Sequence, residues 1–173
     1  VSSLFDSEGS FSRISRLAPQ QEDALRIITG GTGIYYLYGV TGSGKSEVFL
    51  RAAEAVIAQG LQVIYLVPEI TLTHQLSRDV SARFNNRVAI LHSSLTPSQR
   101  LREWKRIIRH EVDLVVGARS AVFAPCAKLG LIIMDEEHEN SYKSSSTPRY
   151  HARQVAQKRC QMNGISFIMG SAT

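Results

Sequence analysis

Two stretches of this sequence hold residues whose types and spacing suit chemistry at a phosphate. In GVTGSGKS, residues 39–46, Gly39, Gly44, Lys45 and Ser46 fill the spacing G-x-x-x-x-G-K-[ST]. Glycines let a loop curl with its N–H groups inward around phosphate oxygens, and the helix that follows turns its positive N-terminal end toward them. Lys45 adds a mobile cation for the β- and γ-phosphates, and Ser46 offers a hydroxyl to Mg2+. The candidate nucleotide cradle is therefore Gly39, Val40, Thr41, Gly42, Ser43, Gly44, Lys45, Ser46 and Glu47. In IIMDEEH, residues 132–138, an apolar run breaks into Asp135, Glu136, Glu137 and His138. Asp135 is the second candidate Mg2+ ligand, and Glu136 the candidate for polarising a water in line with the γ-phosphate. Lys45, Asp135 and Glu136 are thus the candidate catalytic groups. His138, taken alone, reads as a packing or capping residue.

Both stretches need a scaffold that brings them to one edge, and the hydrophobic pattern supplies it. Short β-rich runs at 34–39, 62–67, 87–91, 113–117, 129–135 and 165–169 alternate with helical patterns at about 45–59, 72–84, 97–109 and 150–163. A further helix starts at Pro19, with acids in its first turn, and stops at Gly30-Gly31. Nearly continuous Val, Ile, Leu and Tyr in the strands predicts a parallel sheet buried on both faces. The alternation predicts an α/β fold, a doubly wound parallel sheet with helices on both faces. Such sheets place ligands outside the carboxyl ends of their strands, where both stretches fall.

Composition bounds the rest. The 173 residues, 43% hydrophobic and 20% charged, make one globular domain with a substantial core and exclude disordered and collagen-like classes. Cys126 and Cys160 match neither a disulfide framework nor a zinc-site spacing, so reduced or buried thiols and a cytosolic compartment fit. No apolar run approaches the roughly 18 residues needed to span a bilayer, and the N-terminus lacks a signal-peptide layout. A net charge of +5 is compatible with a polyanionic partner but equally with a solvated surface. Residues 1–16, polar and Ser-rich and opening on Val1, read as a linker or severed junction.

The motifs LVPEI (66–70), GARSA (117–121), DEEH (135–138), SYK (141–143) followed by PRYHAR (148–153), and GSAT (170–173) occur in the order seen in one family. From Leu17 to Thr173 the chain resembles the PriA family of replication-restart DNA helicases, members of superfamily 2. The resemblance implies a P-loop NTPase fold of the RecA-like kind, residues 17–173 being the first helicase lobe. It implies ATP and Mg2+ as cofactors, with zinc held by a Cys-rich element outside this chain. Gln21 would read adenine. Pro68 and Glu69, with Ile70 and Thr71 following, and Arg119 and Ser120 after Gly117, would face DNA, with contacts to backbone phosphates as a translocating motor requires. Tyr142, Lys143, Arg149, Tyr150, His151 and Arg153 match a loop that lets single-stranded DNA signal to the ATP site, supplying π faces and cations. In that loop Ser144 to Thr147 replace a stretch usually richer in Gln, Glu and Gly, and Gln154 stands where Asp is common. Glu137, His138, Ser171 and Thr173 would couple the ATP site to lobe movement.

The resemblance further implies ATP or ADP, single-stranded or forked DNA, primosome proteins and single-stranded-DNA-binding protein as partners, in a bacterial cytoplasm, with no membrane. It places the remaining transition-state cations on a second lobe, so these residues alone are expected to bind nucleotide and hydrolyse little. A self-contained small P-loop enzyme such as a nucleotide kinase, or a noncatalytic nucleotide- or DNA-binding module, are the alternatives.

Overall fold

A computed structural model describes residues 16–40 and 42–172. The expected linker falls outside these residues apart from Arg16, as do Thr41 and Thr173. Six strands, β1 (Ile34–Tyr38), β2 (Gln62–Leu66), β3 (Val88–Leu91), β4 (Leu114–Gly117), β5 (Leu129–Met134) and β6 (Ser166–Ser171), form one all-parallel sheet in the order β1-β6-β5-β2-β4-β3. Helices α1 (Pro19–Thr29), α2 (Lys45–Ile57), α3 (His74–Arg83), α4 (Pro97–Ile108) and α5 (Ala152–Asn163) cover it.

Local chemistry sets the helix ends. Pro19 opens α1 while the Gln21 side chain accepts from Ala18 N at 2.8 Å. Thr73 caps α3 by accepting from Leu76 N, and Thr96 and Gln99 exchange side-chain-to-backbone hydrogen bonds at the start of α4. Gly164, at φ 63°, stops α5 in a left-handed conformation that suits a residue without Cβ.

The sheet divides the core in two through the period-2 alternation of its strands. Val63 and Tyr65 of β2 pack with Ile28, Phe49, Leu76 and Val80 from α1, α2 and α3. Ile64 and Leu66 pack on the other face with Ile107 of α4 and Ala152, Ala156 and Cys160 of α5. Gln62, polar yet buried, is fully used: its amide donates to the carbonyls of Ile107 and Val112 and its oxygen accepts from Lys128 N. Cys126 and Cys160 are free, and burial pushes both thiols up to about 12. No helix of the described residues is long and apolar enough to cross a membrane.

One strand departs from the expected burial on both faces. β1 alternates exposed and half-buried, with Ile34, Tyr36 and Tyr38 outward and the two tyrosine rings stacked at 6.0 Å. It lies at the sheet edge, where Tyr35 and Leu37 join the core beneath α1 and α2 and no described element covers the opposite face.

Candidate functional site

The carboxyl ends of β1, β2, β5 and β6 meet at one rim. β1 leads into the 39–46 loop, in which Gly42 and Gly44 take φ of 80°, a left-handed backbone that suits glycine as the chain enters α2. Gln21 reaches this loop from α1, its amide donating to Ser43 O at 2.9 Å. A Cβ on Gly44 would meet that amide nitrogen at 2.2 Å, so the close approach itself needs glycine. Lys45 is buried, its ammonium held by the carbonyls of Gly39 and Val40. These are exchangeable partners, so the cation can turn to a phosphate.

Asp135 ends β5 beside the loop. Tyr65, from β2, donates to Asp135 Oδ2 at 3.1 Å, so a buried phenol holds one of the two candidate metal-binding oxygens. Burial raises the Asp135 carboxyl above its ordinary value, against the pull of the Tyr65 hydrogen bond. A carboxylate so desolvated gains from a cation. One carboxylate and one hydroxyl fit the oxygen-only preference of Mg2+.

Glu136 follows at φ 48°, a left-handed conformation that a non-glycine residue adopts only under constraint. Its N–H donates to Asp135 Oδ1, and its carbonyl accepts from Glu139 N at 2.9 Å. The turn that results leaves Glu136 half-buried just past the end of β5. His138 Nε2 lies 3.5 Å from Glu136 Oε2 while its Nδ1 shares a 3.3 Å hydrogen bond with Ser171 Oγ. Glu137 N donates to Gly170 O, and a Cβ on Gly170 would strike Phe49 at 2.6 Å and Asp135 Oδ1 at 3.1 Å. Thus Glu136, His138 and Ser171 form one contact chain between β5 and β6, and Arg153 pairs with Glu137 at 3.2 Å.

A second feature, a cleft of about 360 Å3, opens beyond β2, β3 and β4. Glu69, Arg119 and Ser120 line it together with Ser141 of the SYK motif and with His92, Ser93 and Arg100, to which no motif pointed. His92 and Ser93 directly follow β3, so the strand-end rule that found Asp135 would have found them too. Glu69 accepts from Ser93 N at 2.9 Å, and hydrogen bonding from Ser93 holds its carboxyl below the ordinary value. Arg119 crosses to the 136–151 segment, donating to Lys143 O at 2.9 Å and Ser141 O at 3.4 Å, with its guanidinium 5.8 Å from the Tyr150 ring. Lys143 and Arg149 are exposed, and Tyr150 packs edge-on against Phe123 at 5.0 Å.

Three expected contacts are corrected. Tyr142 is wholly buried, its hydroxyl donating to Asp135 O at 2.6 Å, so it has no ring face to offer DNA and braces Asp135 instead. Glu47 does not line the nucleotide loop. Its two carboxylate oxygens take a bidentate pair from Arg83 at 2.7 and 3.1 Å, with Arg51 at 2.8 Å, because the i+3 position from Gly44 points it under the helix toward α3. Pro68 is buried, and its carbonyl accepts from Thr71 N in the 3-10 turn Glu69–Thr71. His151 spans the α5 N-terminus, Nδ1 accepting from Arg153 N at 3.1 Å.

Strand order, loop and acidic turn are those of an NTPase lobe, and a family model described as DEAD/DEAH box helicase matches residues 18–173. The chain belongs to the DEAD/DEAH box helicase family. It is similar to the replication restart protein PriA of Treponema pallidum, 60% identical over 161 residues, and of Bacillus subtilis, 51% identical over 140 residues. Those matches cover 91% and 81% of this chain but 24% and 17% of the two relatives, so the chain spans a quarter or less of their length. The resemblance read from the motifs is borne out. RecG, in a structure bound to a three-way DNA junction, shares the fold with a TM-score of 0.69 at 22% identity, over 92% of this chain and 21% of RecG. The expected RecA-like P-loop fold holds.

Proposed function

We propose that residues 17–173 are the ATP-binding first lobe of a replication-restart DNA helicase. The convergence of Lys45, Ser46, Asp135 and Glu136 at one rim carries the reading. Gln21 orients the base and loop together through its bond to Ser43 O. Lys45 leaves the Gly39 and Val40 carbonyls for the β/γ-phosphates, and Ser46 and Asp135 would hold Mg2+. The metal supplies charge neutralisation at the phosphates when bound. Glu136 orients the attacking water, its position set by the turn and by His138.

DNA phosphates would lie along the cleft of Arg119, Ser120, His92 and Arg100 and the exposed Lys143 and Arg149. Forked DNA, primosome proteins and single-stranded-DNA-binding protein as partners rest only on the family resemblance of the motifs. Turnover by these residues alone should be low, since an added arginine at the γ-phosphoryl group is worth about 10³–10⁵ in rate where one is used. The test is calorimetry with ADP or ATP and Mg2+ on the wild type and on Lys45→Ala. Saturable binding lost in the variant is expected. Unchanged affinity in Lys45→Ala would remove the nucleotide assignment and leave only the fold.

A further inference from the structure

Helix α4 carries two apolar faces where its fold uses one. Ile107 is wholly buried in the core, with Arg100, Glu103 and Arg106 half-buried beside it. Roughly a quarter-turn away, Pro97, Leu101, Trp104 and Ile108 follow one another at steps of four, three and four residues, the spacing of a single helical stripe. Leu101, Trp104 and Ile108 are 56%, 37% and 55% exposed. With Leu95 and Arg100, the first three of the stripe line a shallow groove of about 450 Å3. A contiguous exposed stripe of this kind marks a contact surface more often than scattered apolar residues do.

Charge says what covers it. Between Pro97 and Arg109 the helix holds five cations, Arg100, Arg102, Lys105, Arg106 and Arg109, against one carboxylate, Glu103. Glu103 pairs with Arg106 at 2.8 Å on the core side of the helix. Arg100 flanks the stripe on one side and Lys105, Arg109 and Arg102 on the other. Among the described residues, no ion pair engages any of these four. We propose that the outer face of α4 docks an acidic peptide segment of a partner protein, its aliphatic or aromatic side chains seated between Leu95, Leu101, Trp104 and Ile108 and its carboxylates on Arg102, Lys105 and Arg109, the cations on the side away from the cleft that Arg100 lines.

Other occupants match less well. A second copy joined face to face across a two-fold axis would bring two such cation sets together. Single-stranded nucleic acid stacks on repeated aromatic faces, and this stripe has one ring among aliphatic residues. A membrane surface suits a convex apolar face, whereas Leu95 and Pro97 make this one concave. Helix-in-groove or anchored-strand recognition by i, i+4 side chains fits the spacing.

Trp104 is the only tryptophan in the chain, so its emission reports on the groove directly. The 173-residue chain is titrated with a short synthetic peptide of Asp and Glu carrying Leu and Phe at i, i+4 spacing. The expected result is a saturable blue shift that weakens as salt rises and disappears when the anchors become Ser or the acids become Lys. Leu101→Glu and, separately, Lys105→Glu with Arg109→Glu should each weaken binding about tenfold or more, with the urea unfolding midpoint unchanged because all three side chains are exposed. Three results would overturn the proposal: no shift with the acidic peptide, equal binding by Leu101→Glu, or a shift that tracks protein concentration alone. A tighter response to oligothymidylate, or to phosphatidylglycerol vesicles, would replace the peptide by nucleic acid or membrane and also overturn it.

Discussion

Tyr142→Phe isolates the brace under the acidic turn. The substitution keeps the ring, which is wholly buried, and deletes only the hydroxyl that donates to Asp135 O at 2.6 Å. That carbonyl lies at the end of β5 with the Asp135 side chain also buried, so water does not readily replace the lost donor. Leaving a buried acceptor without its partner costs about 1–3 kcal/mol. With a urea slope of about 2.5 kcal/mol/M for a chain of this size, a loss of about 2 kcal/mol lowers the unfolding midpoint by about 0.8 M. The brace also holds the turn in which Glu136 keeps φ of 48°, alongside the hydrogen bonds from Glu139 N to Glu136 O and from Glu137 N to Gly170 O. Amide exchange across residues 136–143 should therefore quicken in Tyr142→Phe more than exchange in β2 or β4. Urea denaturation followed by circular dichroism, with hydrogen exchange read by mass spectrometry, makes both measurements. A midpoint within about 0.1 M of wild type, far less than the hydrogen-bond estimate, together with unchanged exchange at 136–143, would refute the bracing role.

Glu136→Gln in the longer protein should bind ATP with near wild-type affinity and turn it over slowly, whereas Asp135→Asn should also blunt the Mg2+ dependence; equal loss of ATP affinity in both contradicts the division. Glu47→Gln removes the bidentate carboxylate from Arg83, buried against α2, and leaves Glu54 at 2.9 Å as its remaining charged partner; a charge-assisted hydrogen bond is worth about 1.5–3 kcal/mol, less than the cost of an orphaned buried charge, so thermal melting should fall by a few degrees. His151 caps α5 through Nδ1, and burial, then the Arg153 and Lys143 cations, depress its proton affinity below the ordinary 6.5. The unfolded chain then takes up the proton first, so this contribution to stability is complete above about 6.5 and is lost as pH falls through the lower folded value. Melting temperatures measured from neutrality downward should show that loss, and His151→Asn, which can cap without titrating, should remove it; an identical pH profile in the variant contradicts the assignment.

Much of the fold was legible because its signals are local. The 3.6- and 2-residue periods, Pro19 and the Gly30-Gly31 pair act within a few residues of themselves, and they placed every strand and α-helix to within two or three residues. The 39–46 loop was legible for the same reason, since its glycines and Lys45 do their work within one turn of chain. Asp135 and Glu136 could be singled out because an apolar strand stops on them.

Tertiary structure decided what depends on partners distant in sequence. Tyr142 looked like a stacking ring among cations, but the packing of α5 and the 3-10 turn Asn140–Tyr142 against the sheet closes over it and turns it to Asp135. Glu47 followed the phosphate loop in sequence, and only the docking of α3 on α2, bringing Arg83 from 36 residues away, consumed its carboxylate. Tyr65 stands 70 residues from Asp135, and no spacing rule links them. The β1 run read as buried like the others because hydrophobicity does not tell an edge strand from a central one; strand order does. His92, Ser93 and Arg100 met Glu69 and Arg119 in one cleft only once β2, β3 and β4 lay side by side. Burial and charge pairing are sums over neighbours, and in a sheet with crossovers most neighbours come from elsewhere in the chain.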